Sequence, residues 1–487
     1  MSTGTAPSIA QSYRGKRIAV IGLGIEGQDL ARFFALNGAH VTVSDAKPAA
    51  ALERQLAAIA DLNVRLSLDG NRAELADEAD LVAVTQGASL GLPPIVRARQ
   101  RHIPITSRTR LFLELCPGPV VGISGSSGKT TTTSLTGAIF ATAGRSTFVG
   151  GNIGGPLLTR LGEIDDQTWV ILEVSHTQLQ LMDRSPHVAC LTNVTPNHLD
   201  QFTWSEYLEL KRSLLAHQSS EDSAVLNLDN DVTRALAEDA PGNVLFFSLG
   251  GELPANGAYL RDGRVYMRVD GVDREAMAAE QVPLRGRHNL ENVVCATAIA
   301  SACGIDPAAV GEAVTRFGAV PHRLELVGKI NEVSYFNDSI ATAPERTLAG
   351  MRSFDEPLVL LVGGREKRLP LEDLAAEAAK RCRAVICFGE AGALLARACT
   401  KADERGACGP FIRCVQTLEQ AVLLAGQVAR AGDVVLLSPA CTSFDAYENF
   451  ERRGEEFRFL VNALTRPQEP ASNSELGRQG AGSSQRQ

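Results

Sequence analysis

The sequence predicts an α/β protein of three domains, each built around a mostly parallel β-sheet. The first observation is length, because 487 residues exceed what one hydrophobic core usually holds. The second is a repeated pattern in which short apolar runs, typical of buried strands, alternate with helical stretches. The third is that glycine-rich turns begin at residues 22 and 122, each directly after an apolar run. We place the domains at 1–118, 119–320 and 321–465, followed by a disordered tail at 466–487.

The composition is that of an ordinary globular protein, with 44% hydrophobic and 21% charged residues. The formal net charge is −8 and Lys and Arg form no run, which argues against a general affinity for nucleic acid or anionic membranes. The N-terminal residues lack the apolar core of a signal peptide, and no apolar run is long enough to span a membrane. The 10 cysteines contain no C-x-x-C pair, so they predict neither a zinc site nor a redox motif. We therefore expect a cytoplasmic enzyme or binding protein for small molecules, without a nucleic-acid or membrane partner. A monomer is the expected state, although no sequence pattern bears on it.

The first domain begins with predicted strands at 17–22 and 40–44. Between them, G-L-G-I-E-G at 22–27 has the dinucleotide-binding pattern, and Asp45 follows the second strand, where a ribose or base edge would lie. The pattern fits a nicotinamide-dependent dehydrogenase, a phosphate site for another nucleotide-linked ligand, or glycines that only allow helix and strand to pack. The turn residues C-P-G-P at 116–119 mark the end of this Rossmann-like domain.

The central domain carries the strongest local signal, G-I-S-G-S-S-G-K-T-T at 122–131, between a predicted strand and a predicted helix at 129–141. The backbone N–H groups of such a P-loop can surround a phosphate. Lys129 would reach the β- and γ-phosphates of ATP, and the Thr130 hydroxyl would join the ligands of Mg²⁺. Because Ile123 stands where the common P-loop has glycine, a flexible surface turn is the competing interpretation.

Two further side chains are expected at the same edge of the central sheet. Glu173 ends a predicted strand at 168–173, and His198 lies on the loop that follows a predicted strand at 188–192. Both side chains can bind a divalent cation between ATP and a second substrate. For His198, a hydrogen-bonded histidine without a ligand is the competing interpretation.

The third domain again alternates short apolar runs with helical stretches, which predicts another Rossmann-like domain with a parallel sheet. Its predicted strands lie at 358–362, 384–388 and 434–437, and its predicted helices at 371–380 and 418–429. Beyond residue 464 the chain has almost no apolar residues, so we expect the tail not to order itself.

Taken together, these motifs resemble the Mur ligase family. The matching segments are S-G-S-S-G-K-T-T at 124–131, G-N-I-G at 151–154, N-V-T-P-N-H-L-D at 193–200 and R-H-N-L-E-N at 287–292. The resemblance implies a UDP-substrate-binding domain, a P-loop ATP-binding domain and a C-terminal domain that binds the incoming amino acid. Within the family, L-S-P-A-C-T-S-F-D at 437–445 is similar to the member that adds glutamate to UDP-N-acetylmuramoyl-L-alanine.

The resemblance also implies roles for individual residues. The residues that would bind ATP are Gly125, Ser126, Ser127, Gly128, Lys129, Thr130, Thr131, Asn289, Arg323 and Asp338. The UDP substrate would contact Ile25, Glu26, Asp45 and Asn152, and the glutamate would contact Thr342, Lys367, Ser443 and Phe450. Two Mg²⁺ ions would be bound by Thr130, Glu173, His198 and Lys211, with Lys211 carbamylated. The catalytic residues would be Lys129, His198 and Lys211.

The implied reaction passes the γ-phosphoryl group of ATP to the alanyl carboxylate, and the glutamate amine then attacks the acyl phosphate. D-glutamate is the expected substrate. L-glutamate stays an alternative, because Ile340 occupies a position often held by Lys. Folylpolyglutamate synthetase shares the two later domains, but the G-L-G-I-E-G domain argues against it. A nicotinamide-dependent oxidoreductase or a nucleotide sensor is the alternative from another class.

Overall fold

The chain is described by a computed structural model that covers residues 12–153, 155–197, 199, 201–318, 321–403 and 409–464. His198 and the predicted tail at 466–487 lie outside these residues. The chain divides into two compact units, Met1–Gly318 and Ala319–Gln487. The first unit contains two β-sheets and the second contains one, which confirms the predicted α/β plan. The domain boundaries proposed from the sequence stay predictions.

The first sheet has five parallel strands in the order β3-β2-β1-β4-β5, the order of a Rossmann-like domain. The strands are β1 (Arg17–Ile21), β2 (His40–Ser44), β3 (Val64–Ser67), β4 (Leu81–Val84) and β5 (Ile105–Ser107). The helices are α1 (Ile25–Leu36), α2 (Glu53–Ala57), α3 (Glu74–Asp77), α4 (Pro93–Gln100) and α5 (Arg108–Leu115).

The second sheet has nine strands in the order β14-β13-β12-β11-β10-β9-β6-β8-β7. The strands are β6 (Val120–Ser124), β7 (Thr147–Gly151), β8 (Trp169–Glu173), β9 (Val188–Leu191), β10 (Ser223–Asn227), β11 (Asn243–Ser248), β12 (Gly257–Arg261), β13 (Arg264–Val269) and β14 (Val272–Ala278). The helices are α6 (Lys129–Thr142), α7 (His176–Leu179), α8 (Trp204–Arg212), α9 (Asp231–Ala235), α10 (Arg287–Ala302) and α11 (Pro307–Arg316).

The antiparallel end of the second sheet, from β12 to β14, was not predicted. The sequences of β13 and β14 mix polar and apolar residues and the apolar run of β12 is short, so these strands lack the continuous apolar runs that indicate buried parallel strands. A signal was nevertheless present, because Asp-Gly pairs occupy both hairpin turns, at 262–263 and 270–271. All four of these turn residues have positive φ, between 50° and 76°, which favours this type of hairpin turn.

The second unit has a six-stranded sheet in the order β15-β16-β20-β17-β18-β19. The strands are β15 (Glu325–Ile330), β16 (Val333–Asn337), β17 (Leu358–Gly363), β18 (Cys382–Phe388), β19 (Phe411–Cys414) and β20 (Val434–Ala440). The helices are α12 (Pro344–Met351), α13 (Glu372–Arg381), α14 (Gly392–Ala402), α15 (Leu418–Val428) and α16 (Phe450–Leu464). The sheet is parallel as predicted except for β15, which pairs antiparallel with β16.

Strands at the centre of these sheets are buried along their whole length. Every residue of β6, β17 and β20 is buried, because helices pack on both faces of a parallel sheet. Among the helices that the structure describes, none is long and apolar enough to cross a membrane.

A buried carboxylate connects the two sheets of the first unit. Asp29 on α1 is 3% exposed and accepts hydrogen bonds from the backbone N–H groups of Leu157, Leu158 and Thr159, at 2.7, 3.0 and 3.1 Å. The Thr159 hydroxyl donates a fourth bond at 2.9 Å. Hydrogen bonds from several N–H groups compensate a carboxylate for its loss of water. The helix that follows the G-L-G-I-E-G turn is therefore fixed to the segment between β7 and β8.

Candidate active site

The glycine-rich loop at 124–128 joins β6 to α6 and needs glycine at two positions. Gly125 has φ +147° and Gly128 has φ +79°. A Cβ atom on Gly125 would lie 1.9 Å from Thr192 Oγ1, and one on Gly128 would lie 2.4 Å from Asn292 Oδ1. Because β6 lies between β8 and β9, the loop opens at the switch point of the sheet, where open α/β sheets bind their ligands.

A strap formed by residues 192–195 supports this loop from the neighbouring strand. Thr192 Oγ1 donates to the Ser127 carbonyl at 2.6 Å. The Ser126 and Ser127 N–H groups donate to the carbonyl and side-chain oxygens of Asn193, at 2.8 and 3.0 Å. Ser126 Oγ donates to the Thr195 carbonyl at 2.9 Å. Since these two loop N–H groups face the strap, the first N–H groups of α6, at Lys129, Thr130 and Thr131, are the better placed phosphate donors.

Two lysines converge on one carbonyl of the loop. Lys129 Nζ donates to the Gly125 carbonyl at 3.0 Å, and Lys211 Nζ donates to the same oxygen at 3.1 Å and to Ser124 Oγ at 3.0 Å. Lys211 is only 1% exposed. Burial, and the nearby charge of Lys129, hold the pKa of the Lys211 ammonium well below its ordinary value, although Glu173 opposes this shift. The site therefore favours a neutral, nucleophilic amine at Lys211.

Glu173 ends β8 and presents an oxygen that fits a metal ion. The residue is 2% exposed, and its Oε1 accepts a hydrogen bond from Asn152 Nδ2 at 2.7 Å. Its Oε2 is buried without a hydrogen-bond partner among the described residues. A buried carboxylate oxygen without a donor is costly unless a cation binds it, and carboxylate oxygen is a preferred Mg²⁺ ligand. The half-buried Thr130 lies in the first turn of α6, while His198 lies outside the described residues.

Two asparagines of α10 form hydrogen bonds near the loop, and one of them, Asn292, lies against Gly128. Asn289, predicted to bind ATP, donates from Nδ2 to the Arg285 carbonyl at 2.7 Å and accepts from Asn292 Nδ2 at 3.2 Å. Asn292 Oδ1 is the atom that a side chain at Gly128 would strike. Asn292 and Asn193 lie in motifs that the sequence analysis quoted, but neither received a role. Their contacts with the loop run between distant parts of the chain, which spacing alone does not reveal.

In the first domain, the predicted UDP-contacting residues divide into exposed and inward-facing ones. Ile25 is 67% exposed, and the half-buried Asp45 accepts hydrogen bonds from the N–H groups of Leu23 and Lys47, at 2.9 and 3.0 Å. The Glu26 side chain is buried and engaged by other parts of the protein. A contact between Glu26 and a UDP group would therefore come from its backbone N–H, in the first turn of α1.

In the second unit, Asp338 is a buried carboxyl group beside Ser438. Ser438 Oγ donates to Asp338 Oδ2 at 2.8 Å, and the Leu324 N–H lies 3.3 Å from Oδ1. Burial raises the pKa of Asp338 to about 7, although the Ser438 hydrogen bond and the charge of Arg323 act in the opposite direction. Arg323, half-buried, thus lies near enough to influence Asp338, as expected if both contact one ligand.

The residues predicted to bind glutamate lie on loops and the helix start at the carboxyl edge of the same sheet. Lys367 Nζ donates to Thr342 Oγ1 at 3.3 Å. Lys367 is exposed overall, but partial desolvation of its ammonium and the charge of Arg346 lower its pKa. Ser443 is buried, and the Phe450 carbonyl accepts a hydrogen bond from Ser339 Oγ at 2.8 Å.

Arg453, to which the sequence pattern assigned no role, is completely buried on α16. Its guanidinium donates to Ser339 Oγ at 3.0 Å and to backbone carbonyls on three loops, at 2.9 to 3.3 Å. These carbonyls belong to Ser339, Gly363, Cys441 and Thr442. The signal was available, because Arg453 lies on the helix face that also buries Gly454, Phe457 and Val461.

Three family models match successive parts of the chain. "Mur ligase MurD-like, N-terminal domain" matches residues 16–107, "Mur ligase middle domain" matches 123–300, and "Mur ligase, glutamate ligase domain" matches 322–441. The second match contains the glycine-rich loop, Glu173 and Lys211. The third contains Asp338, Thr342 and Lys367 and ends before Ser443 and Phe450.

Curated relatives resemble the chain over nearly their whole length. A protein of Symbiobacterium thermophilum named "UDP-N-acetylmuramoylalanine--D-glutamate ligase" is 41% identical over 455 residues, which cover 92% of this chain and 98% of the relative. A relative from Acetivibrio thermocellus with the same name is 37% identical, with 93% and 98% covered. One from Clostridium botulinum is 38% identical, with 92% and 97% covered.

Solved structures share the fold at low sequence identity. The UDP-N-acetylmuramate-alanine ligase MurC of Thermotoga maritima superposes with a TM-score of 0.59 at 18% identity, covering 92% of this chain and all of that one. A pseudomurein peptide ligase type C of Methanothermus fervidus gives 0.54 at 17% identity, with 92% and 100% covered. With three family models matched in order and relatives near 40% identity along almost the whole length, the chain belongs to the Mur ligase family.

Proposed function

We propose that this protein is an ATP-dependent ligase that joins D-glutamate to UDP-N-acetylmuramoyl-L-alanine in peptidoglycan synthesis. The observation that carries the proposal is 41% identity along 98% of a relative named for this activity. The glycine-rich loop with two converging lysines supports it, since a ligase of this kind must hold the phosphates of ATP.

We assign the UDP-substrate domain to 1–118, the ATP domain to 119–320 and the glutamate domain to 321–465. The start of α6 and Lys129 would bind the ATP phosphates, with Asn289, Arg323 and Asp338 as further ATP contacts. The UDP substrate would contact Ile25, the backbone of Glu26, Asp45 and Asn152, while Thr342, Lys367, Ser443 and Phe450 would contact glutamate. We also propose that the protein acts as a cytoplasmic monomer, and sedimentation of the purified protein would test its oligomeric state.

Thr130, Glu173, His198 and Lys211 would hold Mg²⁺, which would neutralise charge that gathers between ATP and the substrate carboxylate. The buried, unpartnered Oε2 of Glu173 supports this assignment. Lys211 would serve as a carbamate, formed when its neutral amine adds to CO₂ and releases one proton. The depressed pKa of Lys211 favours that amine, and the product supplies an anionic oxygen ligand where the amine had none.

The reaction needs no covalent enzyme intermediate. An alanyl carboxylate oxygen attacks the γ-phosphorus of ATP, the bond from that phosphorus to the bridging oxygen breaks, and ADP leaves. The glutamate amine then attacks the carbonyl carbon of the acyl phosphate, inorganic phosphate leaves, and the amine loses a proton. Lys129 and the N–H groups of α6 stabilise the charge of the transferring group, so positioning and electrostatics supply the catalysis.

The test is ADP release in a coupled assay that contains ATP, Mg²⁺, UDP-N-acetylmuramoyl-L-alanine and one amino acid at a time. We expect release to require both the UDP substrate and D-glutamate. Faster turnover with L-glutamate at equal concentration would make the D-glutamate assignment wrong while leaving the ligase activity. ADP release that requires neither co-substrate would contradict the ligase itself.

A further inference from the structure

A buried ion pair connects the G-L-G-I-E-G turn of the first domain to the central sheet. Glu26 is 6% exposed and Arg108 is 3% exposed, and Arg108 Nη2 lies 3.0 Å from Glu26 Oε1. The same nitrogen donates to the carbonyl of Gly151, the last residue of β7, at 3.0 Å. Arg108 Nη1 lies 4.0 Å from Asp29 Oδ2. The guanidinium therefore links two carboxylates of α1 to one backbone carbonyl beside the candidate metal site.

The carbonyl that Arg108 holds begins a turn that orients Glu173. Gly151 has φ +104°, and a Cβ atom there would lie 2.2 Å from the Glu173 carbonyl. The next residue, Asn152, donates from its backbone N–H to that carbonyl at 2.8 Å and from Nδ2 to Glu173 Oε1 at 2.7 Å. These contacts leave Oε2, the other oxygen of Glu173, without a protein donor among the described residues. The turn thus decides which carboxylate oxygen is available.

Glu26 also supports the segment that follows Glu173. Its Oε1 accepts a hydrogen bond from Gln178 Nε2 at 3.0 Å, and its Oε2 accepts one from the Gln86 N–H at 2.8 Å. Gln178 in turn accepts from the Ser175 N–H at 2.9 Å, which closes the first turn of α7 two residues after Glu173. The Glu26 carboxylate therefore contacts two side chains that hold the surroundings of Glu173. Arg108 binds the Gly151 carbonyl, and Gln178 binds the segment that follows Glu173.

We propose that the Glu26–Arg108 ion pair is a positioning device that sets the Glu173 carboxylate for its metal ion. Because Glu26 lies in the turn assigned to the UDP substrate, the same device would couple substrate binding to metal affinity. This inference rests on the proposed function. Residues that orient a metal ligand without touching the metal commonly change metal affinity by about 10- to 100-fold when they are replaced.

The test replaces the pair by neutral side chains of similar size, as Glu26→Gln with Arg108→Met. Removing both charges avoids an unpaired buried ion, which is the usual cause of misfolding in such variants. The matched control is Asp77→Asn with Arg97→Met, which removes a partly exposed ion pair of 3.1 Å in the same domain. If the double variant does not fold, Arg108→Lys is measured in its place. One ammonium cannot reproduce the guanidinium contacts with both Glu26 and Gly151.

Two quantities are measured: Mn²⁺ affinity, by electron paramagnetic resonance with a non-hydrolysable ATP analogue, and the Mg²⁺ concentration for half-maximal ADP release. We expect both to weaken about tenfold, with the KM for glutamate unchanged within twofold. Adding UDP-N-acetylmuramoyl-L-alanine should tighten Mn²⁺ in the wild type but not in the variant. Mn²⁺ affinity within twofold of wild type in a folded variant would overturn the inference. An inactive wild type would instead contradict the proposed function.

Discussion

Each unit of the molecule has a fully buried basic side chain beside the loops at the carboxyl edge of its sheet, and the two side chains have different surroundings. Lys211 in the first unit is 1% exposed and donates to one hydroxyl and one carbonyl. Arg453 in the second unit is 0% exposed and donates to one hydroxyl and four carbonyls. Neither side chain forms a salt bridge with a carboxylate among the residues that the structure describes, so the burial of each must be compensated in another way.

The difference follows from the chemistry of the two side chains. Burial lowers the pKa of both groups, to about 10 for Arg453 and well below the ordinary value for Lys211. At neutral pH, Arg453 remains charged and acts as a fixed connection between loops, because its planar donors match several acceptors. Lysine loses its proton far more readily, so the buried amine becomes reactive. We infer that Lys211 serves chemistry and that Arg453 serves loop geometry.

The largest expected effect comes from Lys211→Ala. We expect turnover to fall by on the order of a thousandfold or more, because the carbamate oxygen ligand is lost. Acetate should restore part of the activity by supplying a carboxylate oxygen, whereas Lys211→Arg, which cannot form a carbamate, should be inactive without acetate. The measurement is ADP release at neutral pH over a range of acetate concentrations.

Lys129→Ala is the comparison for this experiment. It should lose a similar amount of turnover, because Lys129 stabilises the transferring phosphoryl group, but acetate should give no recovery. Full activity of Lys211→Ala, or equal rescue of both variants by acetate, would contradict the division of roles between the two lysines.

Arg453→Ala should have the next largest effect, and the property that it changes should be the stability of the second unit. Removing a buried guanidinium leaves several carbonyls without donors, so we expect the second unit to lose about 3 kcal/mol or more of unfolding free energy. The measurement is urea unfolding followed by circular dichroism. The control is the neighbouring Arg452→Ala, which breaks only a surface ion pair with Glu455 and should change stability by less than about 1 kcal/mol. If Arg453→Ala and Arg452→Ala change the stability equally, the structural role inferred for Arg453 is wrong.

Lys367→Ala should have a smaller effect, confined to glutamate. Its ammonium, which donates to Thr342, is positioned to pair with a substrate carboxylate. We expect the KM for glutamate to rise about tenfold or more while the KM for ATP stays within twofold. Lys329→Ala, which removes an exposed lysine paired with Glu332, is the matched control and should leave both constants unchanged. If the KM for ATP rises more than the KM for glutamate, the assignment of Lys367 to the glutamate site is wrong.

Asp338 should also make the stability of the second unit depend on pH. Its folded pKa of about 7 exceeds the ordinary value of 3.8, so the folded state holds a proton that the unfolded state releases between those pH values. Stability should therefore fall as pH rises through this window, by up to about 1.4 kcal/mol per pH unit, and level off above pH 7. Urea unfolding at pH 5, 6, 7 and 8 measures the slope. Asp338→Asn should remove that contribution, and an unchanged slope would assign the effect to other groups.

The sequence predicted the α/β plan and the loop at 122–131, because apolar runs and glycine spacing are local signals. It did not predict the antiparallel hairpins from β12 to β14, because the apolar run of β12 is short and β13 and β14 mix polar and apolar residues. Within the site, Lys211 was linked to the loop by family resemblance alone, since no spacing rule relates it to Ser124. The inward direction of Glu26 depends on Arg108, a partner far along the chain, so local pattern could not reveal it.

The hydrogen bonds that Asp29 accepts from 157–159 also bear on how this protein could be divided or recombined. A fragment that ends at the first sheet would expose this carboxylate to water and would leave the N–H groups of the other segment without their acceptor. We therefore expect the first 318 residues to behave as one exchangeable module in chimeras between relatives. A crossover placed between the two sheets would succeed only where the parent that supplies the first sheet has an acidic residue equivalent to Asp29.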